Sequence, residues 1–170
     1  SSQLSEKQYG VLQLIGAYRF QGARIADVEP LRRHEAPVVT ELDPGYYGLT
    51  EADMDTVFGT GSLVGPRDMK LRDILQLLRD TYCRTLGIEY MYMTDVPQKR
   101  WLQERLEAIR STPGYDAAYK KHILERLTAA ETLERYLHTR YVGQTRFSLE
   151  GGDSLIPMLD ALLQIGRAHV

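Results

Sequence analysis

Apolar residues recur every three or four positions from Lys70 to Leu86, and charged residues lie between them. This spacing is the period of an α-helix with one apolar side and one charged side. Such a helix must bury its apolar side against other elements, and a glycine such as Gly87 commonly ends one. The run therefore predicts a helix at the centre of a helical domain. Its apolar positions are Leu71, Ile74, Leu75, Leu78, Tyr82 and Leu86.

The same period predicts further helices over residues 5–22, 97–110 and 115–141. Ser5 is a candidate N-cap for the first, Pro97 suits the first turn of the second, and Gly143 follows the third. Within the second helix, the predicted inward residues are Trp101, Leu102, Leu106 and Ile109, and the predicted outward residues are Glu104, Arg105 and Glu107.

Residues 27–66 have a different character, with four prolines and five glycines. This composition predicts a long, turn-rich arm, and its many large apolar side chains predict that the arm packs against the core. Thr50 and Asp53 have the spacing of a capping box, which predicts a short helix ending near Phe58. Further on, residues 88–93 alternate and are rich in aromatics, which predicts a strand. Without flanking basic residues, a base-stacking surface is not favoured there.

A third pattern joins a predicted strand to a predicted helix. Residues 146–150 alternate polar and apolar, and Leu155, Ile156, Leu159, Leu162 and Leu163 then recur at helical spacing. Gly151 and Gly152 permit a turn between them, and Asp153 or Ser154 is placed to cap the helix. Pro157 falls in the first turn, where a missing amide donor costs little.

These patterns suggest two candidate binding sites, one for a phosphate and one for a metal ion, and the sequence disfavours both. Glycines before a helix invite a phosphate, but Glu150 and Asp153 would repel it, and no known phosphate-loop spacing is present. A structural turn is therefore predicted. The long helix carries His122, Glu125, Glu131, Glu134 and His138, whose order does not match a bundle metal site. An exposed, ion-paired face is predicted instead.

Composition limits the partners. The net charge is −2 and the sequence pI about 6.1, so we expect neither nucleic acid nor an anionic membrane surface as a partner. No apolar run approaches the ~20 residues of a membrane span. The single cysteine, Cys83, suits a reducing cytoplasm and is expected to be a small buried hydrophobe rather than a nucleophile.

The segment with residues 146–153, called here the signature segment, resembles a run found in the thiamine-diphosphate-dependent first component of the 2-oxoglutarate dehydrogenase complex. Further blocks resemble the same family in the same order, although Ala23 stands where the family has a histidine. The blocks are VLQLIGAYR (11–19), YC (82–83), GIEYM (87–91), KRWLQER (99–105) and LTAAETLERYL (127–137). The signature residues are Arg146, Phe147, Ser148, Leu149, Glu150, Gly151, Gly152 and Asp153.

The resemblance implies a mainly α fold: a helical N-terminal domain at residues 1–143 with the turn-rich arm and one or two short strands. Residues 144–164 would be the first strand and helix of a truncated α/β thiamine-diphosphate-binding domain. The family's cofactor motifs would follow residue 170. No catalytic, cofactor-binding or metal-binding residue is therefore expected in this span, and the signature segment is expected to be structural. Because Arg32, Arg33, His34 and Glu35 replace an acidic loop, calcium is not expected.

The whole enzyme is implied to be a cytoplasmic bacterial homodimer of the tricarboxylic acid cycle. It would use thiamine diphosphate and magnesium to decarboxylate 2-oxoglutarate, and pass succinyl to the lipoyl group of dihydrolipoyl succinyltransferase, alongside dihydrolipoyl dehydrogenase. The fragment itself is expected to be inactive and to bind no cofactor. Two alternatives remain open at this point: an enzyme for 2-oxoadipate, or a free-standing helical interaction module.

Residues 165–170 are expected to be a non-native tail. The DNA string ATCGGAAGAGCACACGTC encodes them, and it resembles the start of a sequencing adapter. His169 is therefore left out of any site, as a fusion scar would be. The alternative is a natural helix end with Gly166 as its cap.

Overall fold

The structure is a computed structural model that describes residues 2–29, 31, 33 and 35–168, without the side chains of Ser2 and residues 166–168. The expectations about Arg32, His34 and His169 lie outside the described residues. The chain divides into two compact units, Ser1–Pro113 and Gly114–Val170. Helices dominate both, which confirms the mainly α class.

Among its described residues, the first unit contains three α-helices, four short 3-10 helices and a small sheet. Helix α1 spans Ser2–Gln21, α2 spans Leu71–Tyr82 and α3 spans Val96–Ala108. Strands β1 (Val57–Gly59) and β2 (Asp68–Lys70) are antiparallel, with Phe58 opposite Met69. These strands were not predicted, because three residues are too few for an alternating pattern to be recognised.

The core of this unit lies between α1 and α2. The buried stripe of α2 carries most of the predicted residues, each of which contributes about 1.5–3 kcal/mol when fully buried. Side chains from the turn-rich arm complete the core, so the prediction that the arm packs rather than links is confirmed. The arm residues in the core are Val39, Leu42, Leu49, Phe58 and Leu63.

The predicted capping box is present. The Asp53 carboxylate accepts from the Thr50 amide at 2.9 Å, and the Asp53 amide bonds back to Thr50. Lys7 on α1 donates to the other carboxylate oxygen at 2.7 Å. Lys7 first, and then the Thr50 amide, hold the pKa of Asp53 below its ordinary value. The short helix ends at Asp53 rather than near Phe58, because Phe58 belongs to β1.

Several predicted element limits are wrong. Ser5 lies inside α1 rather than capping it, and α2 ends at Tyr82 rather than at Gly87. Residues 88–93 form no strand in the part of the chain that the structure describes. A strand requires a neighbouring backbone to pair with, and the burial of these residues does not alternate: Tyr90 is buried and Tyr92 is exposed, although a strand would place both on one side.

The second unit consists of two helices, α4 (Ala117–Arg140) and α5 (Leu155–Ala168). The Asp116 carboxylate caps α4 by accepting from the Tyr119 amide at 2.7 Å. Gly143 has a φ of +85° just beyond the helix, as predicted for a glycine that ends it. Helix α5 continues through Gly166, so that glycine is not its cap.

No helix within the described ranges is long and apolar enough to cross a membrane. Cys83 immediately follows α2 and is half-buried. Burial raises the pKa of its thiol to about 11, which agrees with the expectation that it is not a nucleophile.

Candidate functional site

The signature segment folds back onto α4 of its own unit. The Arg146 guanidinium donates from Nη1 to the Glu134 carbonyl oxygen and from Nη2 to His138 Nδ1, both at 3.3 Å. The Leu149 amide donates to Glu134 Oε1, also at 3.3 Å. Residues 146–150 therefore do not form the predicted strand. Their hydrogen bonds go to a helix and to a local turn, because no neighbouring strand is present among the residues described here.

The glycine turn satisfies its own amides. The Gly151 amide donates to Asp153 Oδ2 at 3.3 Å, and the Gly152 amide donates to the Leu149 carbonyl at 2.8 Å. Gly151 has a φ of +86°, a conformation in which other residues are strained. The Asp153 carboxylate thus closes the turn rather than capping α5, where the first amide, that of Leu155, bonds to the Gly152 carbonyl.

A diphosphate does not fit this turn. The amides that could receive an anion already have acceptors within the turn, and one of these acceptors is itself a carboxylate. The described residues also hold no group of three or more side chains arranged to bind a metal ion.

The apolar side of α5 is open to solvent. Leu155, Leu159 and Leu162 are 39%, 44% and 56% exposed, while Ile156 is half-buried. Phe147 in the signature segment is fully exposed. An exposed apolar surface of this kind commonly marks a place where other protein packs.

Polar contacts join α4 to α5. Asp160 on α5 lies 2.6 Å from His122 Nε2 and 3.6 Å from Arg126 Nε, and it accepts from Gln164 at 3.0 Å. His122 first, with Arg126, holds the pKa of the Asp160 carboxyl below its usual range. The predicted exposed, ion-paired face of α4 is present only in part. Glu131 is exposed and pairs with Arg135 at 2.7 Å, and Glu125 lies 4.0 Å from Lys121, whereas His122 and Glu134 are half-buried.

The first unit contains a buried ion pair that the sequence analysis missed. Glu107 on α3 is buried and accepts from Arg19 on α1 at 2.7 and 3.1 Å. It also accepts from the Tyr82 hydroxyl at 2.7 Å and from the Val64 amide at 2.9 Å. Tyr82 is stacked with Tyr90, and their hydroxyls lie 2.9 Å apart. Burial in particular raises the pKa of the Tyr82 hydroxyl far above its ordinary value.

The ion pair also corrects the predicted orientation of α3. Glu107 was expected to face outward and Trp101 inward, yet Glu107 is buried and Trp101 is 52% exposed beneath Arg105. Helical spacing predicts that a charged residue such as Glu107 lies on the surface. Glu107 can be buried because it pairs with Arg19, which is far away in the sequence. The ion pair joins α1, α2 and α3, and the side-chain nitrogens of Arg19, both Glu107 oxygens and the Tyr82 hydroxyl all have hydrogen-bond partners.

Comparison with known proteins gives close relatives for nearly the whole chain, although no family model matches it. The chain is 54% identical over 180 residues to the 2-oxoglutarate dehydrogenase E1 component of Cupriavidus necator and 46% identical over 181 residues to that of Azotobacter vinelandii. Each alignment covers 99% of this chain and 19% of the relative.

A third relative is the multifunctional 2-oxoglutarate metabolism enzyme of Mycolicibacterium vanbaalenii, 44% identical over 168 residues. That alignment covers 98% of this chain and 13% of the relative. The chain thus spans about a fifth or less of the length of these relatives.

Proposed function

We propose, from the chain's membership of the family of 2-oxoglutarate dehydrogenase E1 components, that it is the N-terminal helical part of an enzyme that decarboxylates 2-oxoglutarate. The enzyme would use thiamine diphosphate with magnesium and pass the succinyl group to the lipoyl arm of dihydrolipoyl succinyltransferase. The observation that carries the proposal is similarity along 99% of the chain at 54% identity. The cofactor would supply the electron sink, and the protein would position it.

Within that enzyme, the chain would supply architecture rather than chemistry. Residues 1–143 would be the helical domain, residues 144–164 would begin the cofactor-binding domain, and residues 165–170 would be a non-native tail. The hydrogen bonds of Glu107 and of the Gly151 and Gly152 amides support an architectural role, since none of these groups is available to a substrate. The 170-residue chain alone would be inactive and would bind no thiamine diphosphate.

The exposed side of α5 supports the same proposal. Leu155, Leu159 and Leu162 would be covered by further elements of the cofactor-binding domain. The whole enzyme would be a homodimer in the bacterial cytoplasm, working in the tricarboxylic acid cycle with dihydrolipoyl dehydrogenase as the third component.

The test compares the 170-residue chain with the protein encoded by the complete gene. The complete protein should reduce an artificial electron acceptor when given 2-oxoglutarate, thiamine diphosphate and magnesium, and should do so faster than with 2-oxoadipate. The short chain should show neither this activity nor saturable heat of thiamine diphosphate binding by calorimetry. A faster rate with 2-oxoadipate would show that 2-oxoadipate, and not 2-oxoglutarate, is the preferred substrate. Saturable binding of thiamine diphosphate by the short chain would refute the proposal that the chain supplies only architecture.

The gene itself provides a second test. Continuation of the natural reading frame beyond codon 164 into a His-Arg-Gly-Arg-Leu block would support the enzyme. A natural stop codon at that position would instead support an independent helical interaction module.

A further inference from the structure

The geometry points to Glu134 on α4, assisted by His138, as the positioning residue of the signature segment. Between residues 141 and 152, all of which the structure describes, Arg146 and Leu149 are half-buried and the others are exposed. These are also the two residues that donate hydrogen bonds to Glu134. Burial and hydrogen bonding therefore select the same anchor.

Glu134 presents two different acceptors to the segment. Its backbone carbonyl receives the Arg146 guanidinium, and its carboxylate oxygen Oε1 receives the Leu149 amide. A helical carbonyl has a second lone pair for such a contact. The two donors are three residues apart in the signature segment, so one helical residue fixes both the side chain at its start and the backbone at its middle.

His138 lies one helical turn beyond Glu134 and therefore on the same side of α4. Its Nδ1 atom faces Arg146 Nη2 at 3.3 Å. Because a guanidinium is only a donor, Nδ1 must be the acceptor, and the imidazole proton must sit on Nε2. The contact thus requires a neutral histidine in one tautomer.

The neighbouring residue Glu131 provides a matched control. It lies on the same helix three residues earlier, and its carboxylate pairs with the exposed Arg135 at 2.7 Å. An exposed pair of this kind stabilises a helix only slightly. Glu131 lines the same cavity as Arg146 and Ser148, but its ion pair is with Arg135 on its own helix. Replacing Glu131 by alanine therefore changes helix composition as much as replacing Glu134 does, without removing the acceptor of the Leu149 amide.

The first experiment measures amide hydrogen exchange by NMR in the 170-residue chain. In Glu134→Ala the Leu149 amide should exchange about fivefold faster, as expected for one lost hydrogen bond. Glu134→Gln keeps a carbonyl oxygen at that position and should restore most of the protection. The Gly152 amide, which bonds within the turn, should be unchanged in both variants.

Arg146→Ala tests the same anchor from outside the helix, so it cannot act by unfolding α4. It should shift the His138 ring resonances and increase exchange at Leu149. Unchanged Leu149 exchange in both Glu134→Ala and Arg146→Ala would overturn the inference, and so would equal acceleration in Glu131→Ala.

The role in catalysis rests on the proposed function and is tested separately. In the complete protein, Glu134→Ala should weaken thiamine diphosphate binding by about fivefold, the effect of one lost hydrogen bond, whereas Glu131→Ala should not. If the unaltered complete protein binds no thiamine diphosphate, the proposed function fails while the exchange result still decides the anchor. If the complete protein binds thiamine diphosphate equally well with and without the Glu134 side chain, Glu134 has no part in positioning the cofactor-binding domain.

Discussion

Replacing Glu107 by alanine should destabilise the first unit more than any other single substitution of a charged residue on α3. The change removes the acceptor of Arg19, the Tyr82 hydroxyl and the Val64 amide together. It leaves the Arg19 guanidinium, which is only 8% exposed, without its counter-charge. Breaking a buried pair in this way costs about 3–5 kcal/mol.

A glutamine at position 107 should rescue little of this loss. Each carboxylate oxygen of Glu107 accepts from two donors, Oε1 from Arg19 and Tyr82 and Oε2 from Arg19 and Val64. An amide nitrogen at Oε2 would face two groups that only donate, and at Oε1 it could donate to the Tyr82 hydroxyl but would still face the Arg19 donor. We therefore expect Glu107→Gln to cost at least about 2 kcal/mol, since at least one buried donor loses its acceptor and the Arg19 guanidinium loses its counter-charge.

The assay is urea-induced unfolding followed by circular dichroism, with thermal unfolding as a second measurement. Glu107→Ala should lower the midpoint temperature by on the order of 10 °C. Glu104→Ala, at an exposed position on the same helix, should change stability by less than about 0.5 kcal/mol. Equal stability of the two variants would refute the argument that the buried pair joins the three helices.

Three further outcomes are expected. The folded-state pKa of Asp53 is depressed by Lys7, so its stabilising effect is present above the pKa of an unfolded aspartate, about 4, and is lost as the pH falls through the folded value. The folding stability of Asp53→Asn should therefore decrease less than that of the unaltered protein as the pH falls from neutral to about 2, as measured by circular dichroism. The Cys83 thiol, with a pKa of about 11, should react with iodoacetamide at neutral pH on the order of a hundredfold more slowly than free cysteine. Asp160→Asn should raise amide exchange along α5 several-fold because it removes the charged acceptor of His122.

Local chemistry predicted much of the fold. The apolar stripe of α2 appears at the predicted residues except Leu86, which lies beyond the helix and is exposed, and the Thr50–Asp53 box forms. These features depend on side chains a few residues apart, which a sequence displays directly. The role of Glu107 depends on Arg19, 88 residues away, and no local pattern contains that information.

The two predicted strands were wrong for a related reason. The alternation at 88–93 and at 146–150 did not identify the buried side either. Tyr90 is buried but Tyr92 is exposed, and Leu149 is half-buried but Phe147 is fully exposed. A sequence pattern also cannot show whether a neighbouring strand is available for pairing. Without one, the polar groups of an extended segment must form hydrogen bonds elsewhere. Tyr90 bonds through its hydroxyl to Tyr82, and Leu149 bonds through its amide to Glu134.

The same distinction separates the two units. In the first, the predicted apolar stripes meet each other, and Val11, Leu14, Leu71 and Ile74 have no exposed surface. In the second, periodicity predicted both helices, yet residues 114–165 include no buried side chain. Periodicity therefore establishes that α4 and α5 are amphipathic helices but leaves their partner open. Because apolar area removed from water is the main stabilising term in folding, the second unit should lose amide protection under conditions in which the first remains folded.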